Sequence, residues 1–218
     1  MGLLSLLLFL LLVLPVLVFL TYAQVATFSF ARLGLSPEGA FLLFTLSLLG
    51  GAINIPIWRE QVWVEPPPFY RFRLFFLFPF WEPPRLAERV LAVNVGGAIV
   101  PTLFSLYLLE RAPFSSTVLA LTVVTAVCKA LARPVPGRGI VLPAFIPPLT
   151  AAAVAVLLAP PGARAPVAYI AGTLGTLIGA DLLHLPALRR MGPGMLSIGG
   201  AGVFDGIFLV GVLAAFLA

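Results

Sequence analysis

Charged residues are scarce in this sequence. Lysine and arginine contribute 13 residues and aspartate and glutamate 8, so that charged side chains make up 10% of the 218-residue chain. A soluble domain of ordinary composition carries roughly 25% charged residues. Apolar residues reach 61%. Because so few charges cannot cover a surface that faces water, the sequence predicts an integral membrane protein.

Cysteine and histidine are nearly absent, with one residue of each, Cys128 and His184. A single cysteine excludes a fold held by disulfides within the chain. The net charge of +5 comes from basic residues distributed among apolar segments, which argues against nucleic acid as a partner. We therefore expect membrane lipids as partners, together with a transmembrane peptide or a small solute. No cofactor is expected, with a bound metal ion as the alternative considered below.

Long apolar runs dominate the rest of the chain. A helix needs roughly 20 residues to cross about 30 Å of hydrocarbon, and seven stretches are long enough. They lie near residues 3–22, 37–57, 87–109, 115–132, 141–159, 166–185 and 199–218. The runs lack the period-two alternation of a membrane barrel strand. The predicted fold is therefore all-α, a polytopic membrane helical bundle of about seven transmembrane helices that forms one domain over residues 1–218.

Two segments interrupt this pattern. The connector 59–85 is rich in aromatic residues and arginine and contains three consecutive prolines, which predicts an anchor at the membrane interface, with a substrate-guiding flap as the alternative. The fifth predicted span carries Pro143, Pro147 and Pro148 in its first half. Because each proline removes a helix hydrogen bond, we expect a kink or a partly unwound stretch there.

Basic residues fall mainly in the connectors after predicted helices two, four and six. The positive-inside rule places these connectors in the cytoplasm. The sequence therefore predicts a multi-pass protein of the inner (cytoplasmic) cell membrane whose amino terminus is cytoplasmic.

Two acidic residues, Asp181 and Asp205, lie well inside apolar spans. An ionisable side chain at membrane depth costs a few kcal/mol or more, so that it marks a candidate functional site. The two acids lie at similar depth on predicted helices that a short loop joins, which predicts that they face each other. His184 follows Asp181 by three residues and shares its helix face. These three residues are the candidate catalytic residues, and two carboxylates and an imidazole are also a candidate metal-ligand set.

Further residues are candidates for binding substrate or lipid. Asn94 lies on a polar sector of the third predicted helix, as a contributor to the acid site or as an interhelical hydrogen-bond partner. The glycine-rich run with Gly200 and Gly202 exposes amide groups beside Arg189 and Arg190, a combination that suits a lipid phosphate.

Three motifs resemble those of a bacterial and archaeal family of integral membrane proteins of unknown function. They are Asn94-Val-Gly-Gly-Ala-Ile-Val-Pro101, Gly179-Ala-Asp-Leu-Leu-His-Leu185 and Ser197-Ile-Gly-Gly-Ala-Gly-Val-Phe-Asp-Gly-Ile-Phe208. The resemblance runs from about Asn94 to the carboxyl terminus and implies no activity.

A more distant likeness concerns mechanism. Presenilin-like intramembrane aspartyl proteases carry one catalytic aspartate on each of two adjacent helices, the second in a Gly-x-Gly-Asp motif. The run Gly202-Val-Phe-Asp205 resembles this motif, with Phe204 in place of the second glycine. The likeness implies catalytic roles for Asp181 and Asp205.

The sequence thus supports three hypotheses. The first is an intramembrane hydrolase or protease of the aspartyl type, in which one acid donates a proton and the other activates water. The second is a proton-coupled or small-solute transporter that uses the same acids. The third is a membrane scaffold that binds a metal ion or lipid.

Overall fold

The computed structural model describes residues 3–64, 84–135, 139–188, 192–200 and 206–218. In chain order its helices and strands are α1 (Leu3–Arg32), α2 (Pro37–Gly50), β1 (Asn54–Val64), β2 (Arg85–Asn94), α3 (Val100–Leu108), α4 (Phe114–Leu131), β3 (Arg133–Val135), β4 (Gly139–Val141), α5 (Ile146–Leu158), α6 (Arg164–Thr176), α7 (Leu185–Leu188), β5 (Gly194–Ile198) and α8 (Gly206–Leu217). Two π-helical turns, Val95–Ile99 and Leu177–Asp181, lie at the start of α3 and the end of α6.

The predicted all-α fold with seven spans is wrong. Within the described ranges, five strands form a three-stranded sheet, β1-β2-β5, and a separate hairpin, β3-β4. Residues 87–94 of the predicted span 87–109 belong to strand β2. In the predicted span 37–57 the helix ends at Gly50, and strand β1 begins at Asn54. The predicted connector 59–85 also contains strand residues at both ends, whereas 65–83 lies outside the described residues.

Among the described residues, three helices are long and apolar enough to cross a membrane. They are Leu8–Arg32, Phe114–Leu131 and Pro161–Ala187, and they overlap the first, fourth and sixth predicted spans. Two further apolar helices, Pro37–Gly50 and Ile146–Leu158, are shorter than a bilayer requires. The part of the chain that the structure describes is therefore compatible with a membrane protein and contains three candidate spans.

Strand β2 carries Arg85, Glu88 and Arg89 in its first half and an apolar run at residues 90–93 in its second half, and an apolar run this short does not distinguish a strand from a helix. Its strand state comes from pairing with both neighbours, since β1 runs antiparallel to it over Asn54–Val64 and β5 runs parallel to it. Val93 lies opposite Ile198 in that parallel pair. This register places the carboxyl ends of β2 and β5 side by side.

Proline shortens the fifth predicted span. The helix begins only at Ile146, and Pro147 and Pro148 occupy its first turn. A proline is tolerated there because the first-turn amide groups have no partner within the helix. The predicted unwound stretch thus lies before α5, and the helix itself is too short to span.

The core is organised around α6. Every residue of that helix from Ala165 to Thr173 is buried. One side packs in an apolar cluster with α1, α2, α3 and α8, and another side packs with α4, α5 and α8. A third apolar cluster joins the sheet to the helices through Leu91, Ala98, Leu177, Ile198 and Ile207. The sheet is therefore attached at the far end of α6.

The tripeptide Gly-Gly-Ala occurs three times, at residues 50–52, 96–98 and 199–201. Each copy lies between a helix and a strand. A Cβ added to Gly50 would lie 2.8 Å from the amide nitrogen of Gly96, and one added to Gly199 would lie 2.8 Å from the amide nitrogen of Ala98. We call the contact among Gly50–Gly51, Gly96–Ala98 and Gly199 the glycine junction. It lets three chain segments approach at backbone distance.

Replacement of Gly96 by alanine tests this packing. The new methyl group would overlap the carbonyl oxygen of Ser47 and the amide nitrogen of Gly51, both backbone atoms that cannot rotate away. We expect Gly96→Ala to destabilise the protein by about 3 kcal/mol, measured by thermal unfolding in detergent. The matched control is Gly162→Ala, because no atom lies within 4 Å of that position. Equal stability of the two variants would contradict the contact.

Candidate functional site

Asp181 lies where the helix that begins with α6 is interrupted. The π-helical turn Leu177–Asp181 ends at this residue, and a 3₁₀ turn, Leu182–His184, follows it. Interruptions of this kind are common at functional sites, because they release backbone groups from the regular hydrogen-bond ladder. Asp181 is partly buried, and it lies within the candidate span Pro161–Ala187.

A backbone amide holds the Asp181 carboxyl group. The amide of Gly199 donates a hydrogen bond of 2.7 Å to Oδ2 of Asp181. Gly199 has a φ of +77°, a conformation that glycine adopts without strain. No residue of the described part of the chain makes a hydrogen bond with Oδ1. One oxygen of the carboxyl group is thus fixed by the protein.

His184 is turned back toward its own helix. Its Nδ1 lies 2.8 Å from the carbonyl oxygen of Ala180 and 3.1 Å from that of Gly179, so that Nδ1 carries a hydrogen and donates it. The ring is buried. Between the described atoms there is no hydrogen bond from His184 to Asp181. Asp181 and His184 are therefore near each other in sequence but are not joined by a hydrogen bond. The histidine instead donates to carbonyl groups that the helix interruption releases.

Asn94 lies on the other side of Gly199, in a network that joins three segments. Its Oδ1 accepts a 2.8 Å hydrogen bond from the amide of Gly97, and its Nδ2 donates to the carbonyl of Gly51 at 2.8 Å and to Oδ1 of Asn54 at 3.1 Å. The hydroxyl of Ser197 donates to the same Oδ1 of Asn54 at 2.5 Å. Asn94 does not touch Asp181 directly, but it is connected to it through the glycine junction.

Asn54 and Ser197 were missed by the sequence reasoning. Asn54 was placed inside the second predicted span, and Ser197 in a connector. The signal that could have found Asn54 is a polar residue within an apolar run, which needs a partner. Ser197 meets it only because β5 pairs with β2 in parallel, a long-range contact that no local pattern indicates.

Four predicted site residues lie outside the described part of the chain, namely Asp205, Arg189, Arg190 and Gly202. Gly200 is described, and a Cβ added there would overlap Oγ of Ser197 and lie 2.6 Å from its Cβ. Gly200 thus lies beside the asparagine network. The lipid-phosphate site proposed for Gly200 and the two arginines stays a prediction.

The described residues contain no group of three His, Cys, Asp or Glu side chains placed to hold a metal ion. Because Asp205 is not among them, this finding covers only the Asp181 and His184 part of the predicted ligand set. Chemically, the site offers one carboxyl group with one fixed oxygen. That arrangement suits the uptake and release of a proton.

A family model described as "Protein of unknown function (DUF1614)" matches residues 48–217. The match covers most of the chain and contains every residue of the site. No curated protein and no solved structure matches. The predicted resemblance to a family of unknown function is confirmed at this level, and the finding carries no link to presenilin-like proteases.

Substitutions of His184 test its role in the helix interruption. We expect His184→Ala to lower the free energy of unfolding by about 1–2 kcal/mol, because the carbonyls of Gly179 and Ala180 lose their donor. His184→Asn places an amide N–H near the position of Nδ1 and should retain most of that stability. Thermal unfolding of both variants decides between the two outcomes. An equal loss in both would show that the ring packs but does not donate.

Proposed function

We propose a hydrolytic function for this chain, which belongs to the family described as protein of unknown function (DUF1614). In this proposal the protein is an aspartyl-type intramembrane hydrolase, with Asp181 and Asp205 as its acid pair. Two close carboxyl groups do not both ionise readily, so that one retains a proton. The ionised group accepts a proton from water as the water attacks a carbonyl carbon, and the protonated group donates its proton to the carbonyl oxygen. When the resulting gem-diol collapses, the C–N bond breaks, the newly protonated acid gives its proton to the leaving nitrogen, and the other carboxylate takes a proton from a hydroxyl group, which restores the starting acid pair.

The observation that carries the proposal is the hydrogen bond between the amide of Gly199 and Oδ2 of Asp181. It fixes the orientation of a carboxyl group at the interruption of a candidate span. Catalytic groups require such fixation, because a displacement of about 1 Å from the productive position can lower the reaction rate about 100-fold.

The described residues on either side of Asp205 support the pairing. Gly199, which binds Asp181, precedes Asp205 by six residues, and an extended chain of that length reaches about 20 Å at most. Ile207, two residues after Asp205, belongs to the apolar cluster that includes Leu177. Leu177 lies one turn before Asp181. Both flanking segments therefore approach the Asp181 region.

The substrate class follows from the surroundings of the acid. A carboxyl group within an apolar span meets chains that are themselves in the bilayer, so a transmembrane peptide is the proposed substrate. The partners in this proposal are that peptide and the surrounding lipids, and nucleic acid is not among them.

The second candidate function is proton-coupled or small-solute transport. The observation in its favour is the interruption of the α6 helix, since transporters bind ions and substrates where spanning helices are broken. In that case Asp181 would take up a proton on one side of the membrane and release it on the other. Proton flux into proteoliposomes, reported by a trapped pH-sensitive dye and observed without peptide cleavage, would favour this function.

Asp181→Asn tests the hydrolase directly. The amide oxygen of asparagine can still accept the hydrogen bond from Gly199, so the variant should fold. Purified protein in liposomes is incubated with hydrophobic 20-residue peptides in H₂¹⁸O, and mass spectrometry detects ¹⁸O in new carboxyl groups. We expect Asp181→Asn and Asp205→Asn each to reduce cleavage by about 10³-fold or more, as loss of an acid–base group does.

The matched control is Glu110→Gln, which neutralises an exposed acid in the 3₁₀ turn after α3. This variant should cleave at the rate of the unmodified protein. Cleavage that persists in Asp181→Asn would exclude the acid pair.

The proposed location is the inner (cytoplasmic) cell membrane, with a cytoplasmic amino terminus and cytoplasmic basic connectors. Gln61 is exposed on β1 beside Arg59 and provides a position for labelling. With Cys128 replaced by serine, Gln61→Cys should react with a membrane-impermeant maleimide only after the cells are permeabilised. Labelling in intact cells would reverse the proposed orientation.

A further inference from the structure

We propose that Asn94, Asn54 and Ser197 form a positioning network for Asp181, which acts by fixing the amide of Gly199 through the glycine junction. None of the three needs to touch a substrate. The inference deepens the proposed hydrolase and rests on it for its catalytic consequence, whereas the positioning itself can be measured without any activity.

The first step is the attachment of β2 to β1. Asn94 ends β2, and its side-chain amide donates to Gly51 and to Asn54. Gly51 follows α2, and Asn54 begins β1. Asn94 therefore fixes the end of β2 against the segment that connects α2 with β1.

The second step is the fixation of the π-helical turn. Oδ1 of Asn94 accepts the amide hydrogen of Gly97, in the cap of the turn Val95–Ile99. Asn94 and Gly97 are both buried, so this bond is not exchanged for one to water at low cost. The position of Gly97 and Ala98 is therefore set by the Asn94 side chain.

The third step is the contact between this turn and Gly199. A Cβ on Gly199 would lie 2.8 Å from the amide nitrogen and the Cβ of Ala98 and from the carbonyl carbon of Gly97. The backbones thus touch, and neither can shift toward the other. From the opposite direction, Ser197 fixes the end of β5 through its hydrogen bond to Asn54, two residues before Gly199.

Together these contacts hold Gly199 on two sides, and its amide points at Oδ2 of Asp181. The side-chain amide of Asn94, Oδ1 of Asn54 and the hydroxyl of Ser197 all make hydrogen bonds within the network, as a supporting role requires. Loss of one member should loosen the Gly199 amide before it unfolds the helices, because the helix core lies in other clusters.

Amide hydrogen exchange tests the network. In detergent-solubilised full-length protein, exchange is followed by mass spectrometry with fragmentation that resolves Gly199. We expect Asn94→Ala to accelerate exchange at Gly199 by about tenfold, as the loss of supporting hydrogen bonds predicts, with little change in α4 and α5. Ser197→Ala should act in the same direction, and Ser197→Thr, which retains the hydroxyl, should restore slow exchange.

The control is Ser116→Ala, which removes a 2.7 Å hydrogen bond to the carbonyl of Leu158 between α4 and α5, away from the network. In the control the Gly199 amide should exchange as slowly as in the unmodified protein. If it exchanges equally slowly in both Asn94→Ala and Ser197→Ala, the positioning role is overturned. In the ¹⁸O assay the positioning variants should lower kcat more than they change KM. Faster exchange at Gly199 together with cleavage that survives Asp181→Asn would sustain the network and reject the hydrolase instead.

Discussion

Close backbone contact at the glycine junction is the constraint on which the rest of the structure depends. Three segments that follow or precede helices meet where Gly50, Gly96 and Gly199 have no side chains. This approach brings β1, β2 and β5 into one sheet and lets the Asn94 side chain reach Gly51 and Asn54. The same approach presents the Gly199 amide to Asp181. The sheet, the asparagine network and the candidate acid site are thus consequences of one packing arrangement.

The junction also relates the apolar helices to the polar site. Helix α6 is surrounded by other helices over most of its length, and its regular geometry ends where the sheet begins. The carbonyl groups released there are satisfied by His184, and the acid at the end of the π-helical turn is satisfied on one oxygen. A site of this kind combines an apolar environment with few polar groups of fixed direction. Surroundings of this kind are typical of carboxyl groups that act as acids or bases in functional sites.

Composition and periodicity predicted part of this structure. The long apolar helices at Leu8–Arg32, Phe114–Leu131 and Pro161–Ala187 follow from uninterrupted runs, because helix formation is a local property. The sheet could not be predicted in the same way. Most of β2 lay in a predicted span although it contains Glu88 and Arg89. Its strand state depends on pairing with β1 and with β5, and β5 lies about 100 residues later in the chain. The site shows the same division. Asp181 and His184 were selected as candidates because ionisable residues are rare in apolar runs, whereas Ser197 and Asn54 were missed because long-range pairing brings them together.

The central claim is that Asp181 and Asp205 form one acid pair, and a cysteine cross-link tests it most directly. In a protein that carries Cys128→Ser, the double variant Asp181→Cys and Asp205→Cys is oxidised in the membrane, and the disulfide is identified by mass spectrometry. A disulfide requires Cβ atoms about 4 Å apart, so that it forms readily only between adjacent side chains. The account predicts a cross-link in high yield, with none when Glu110→Cys replaces Asp205→Cys as the partner of Asp181→Cys. Absence of the Asp181–Asp205 cross-link in folded protein would contradict the acid pair.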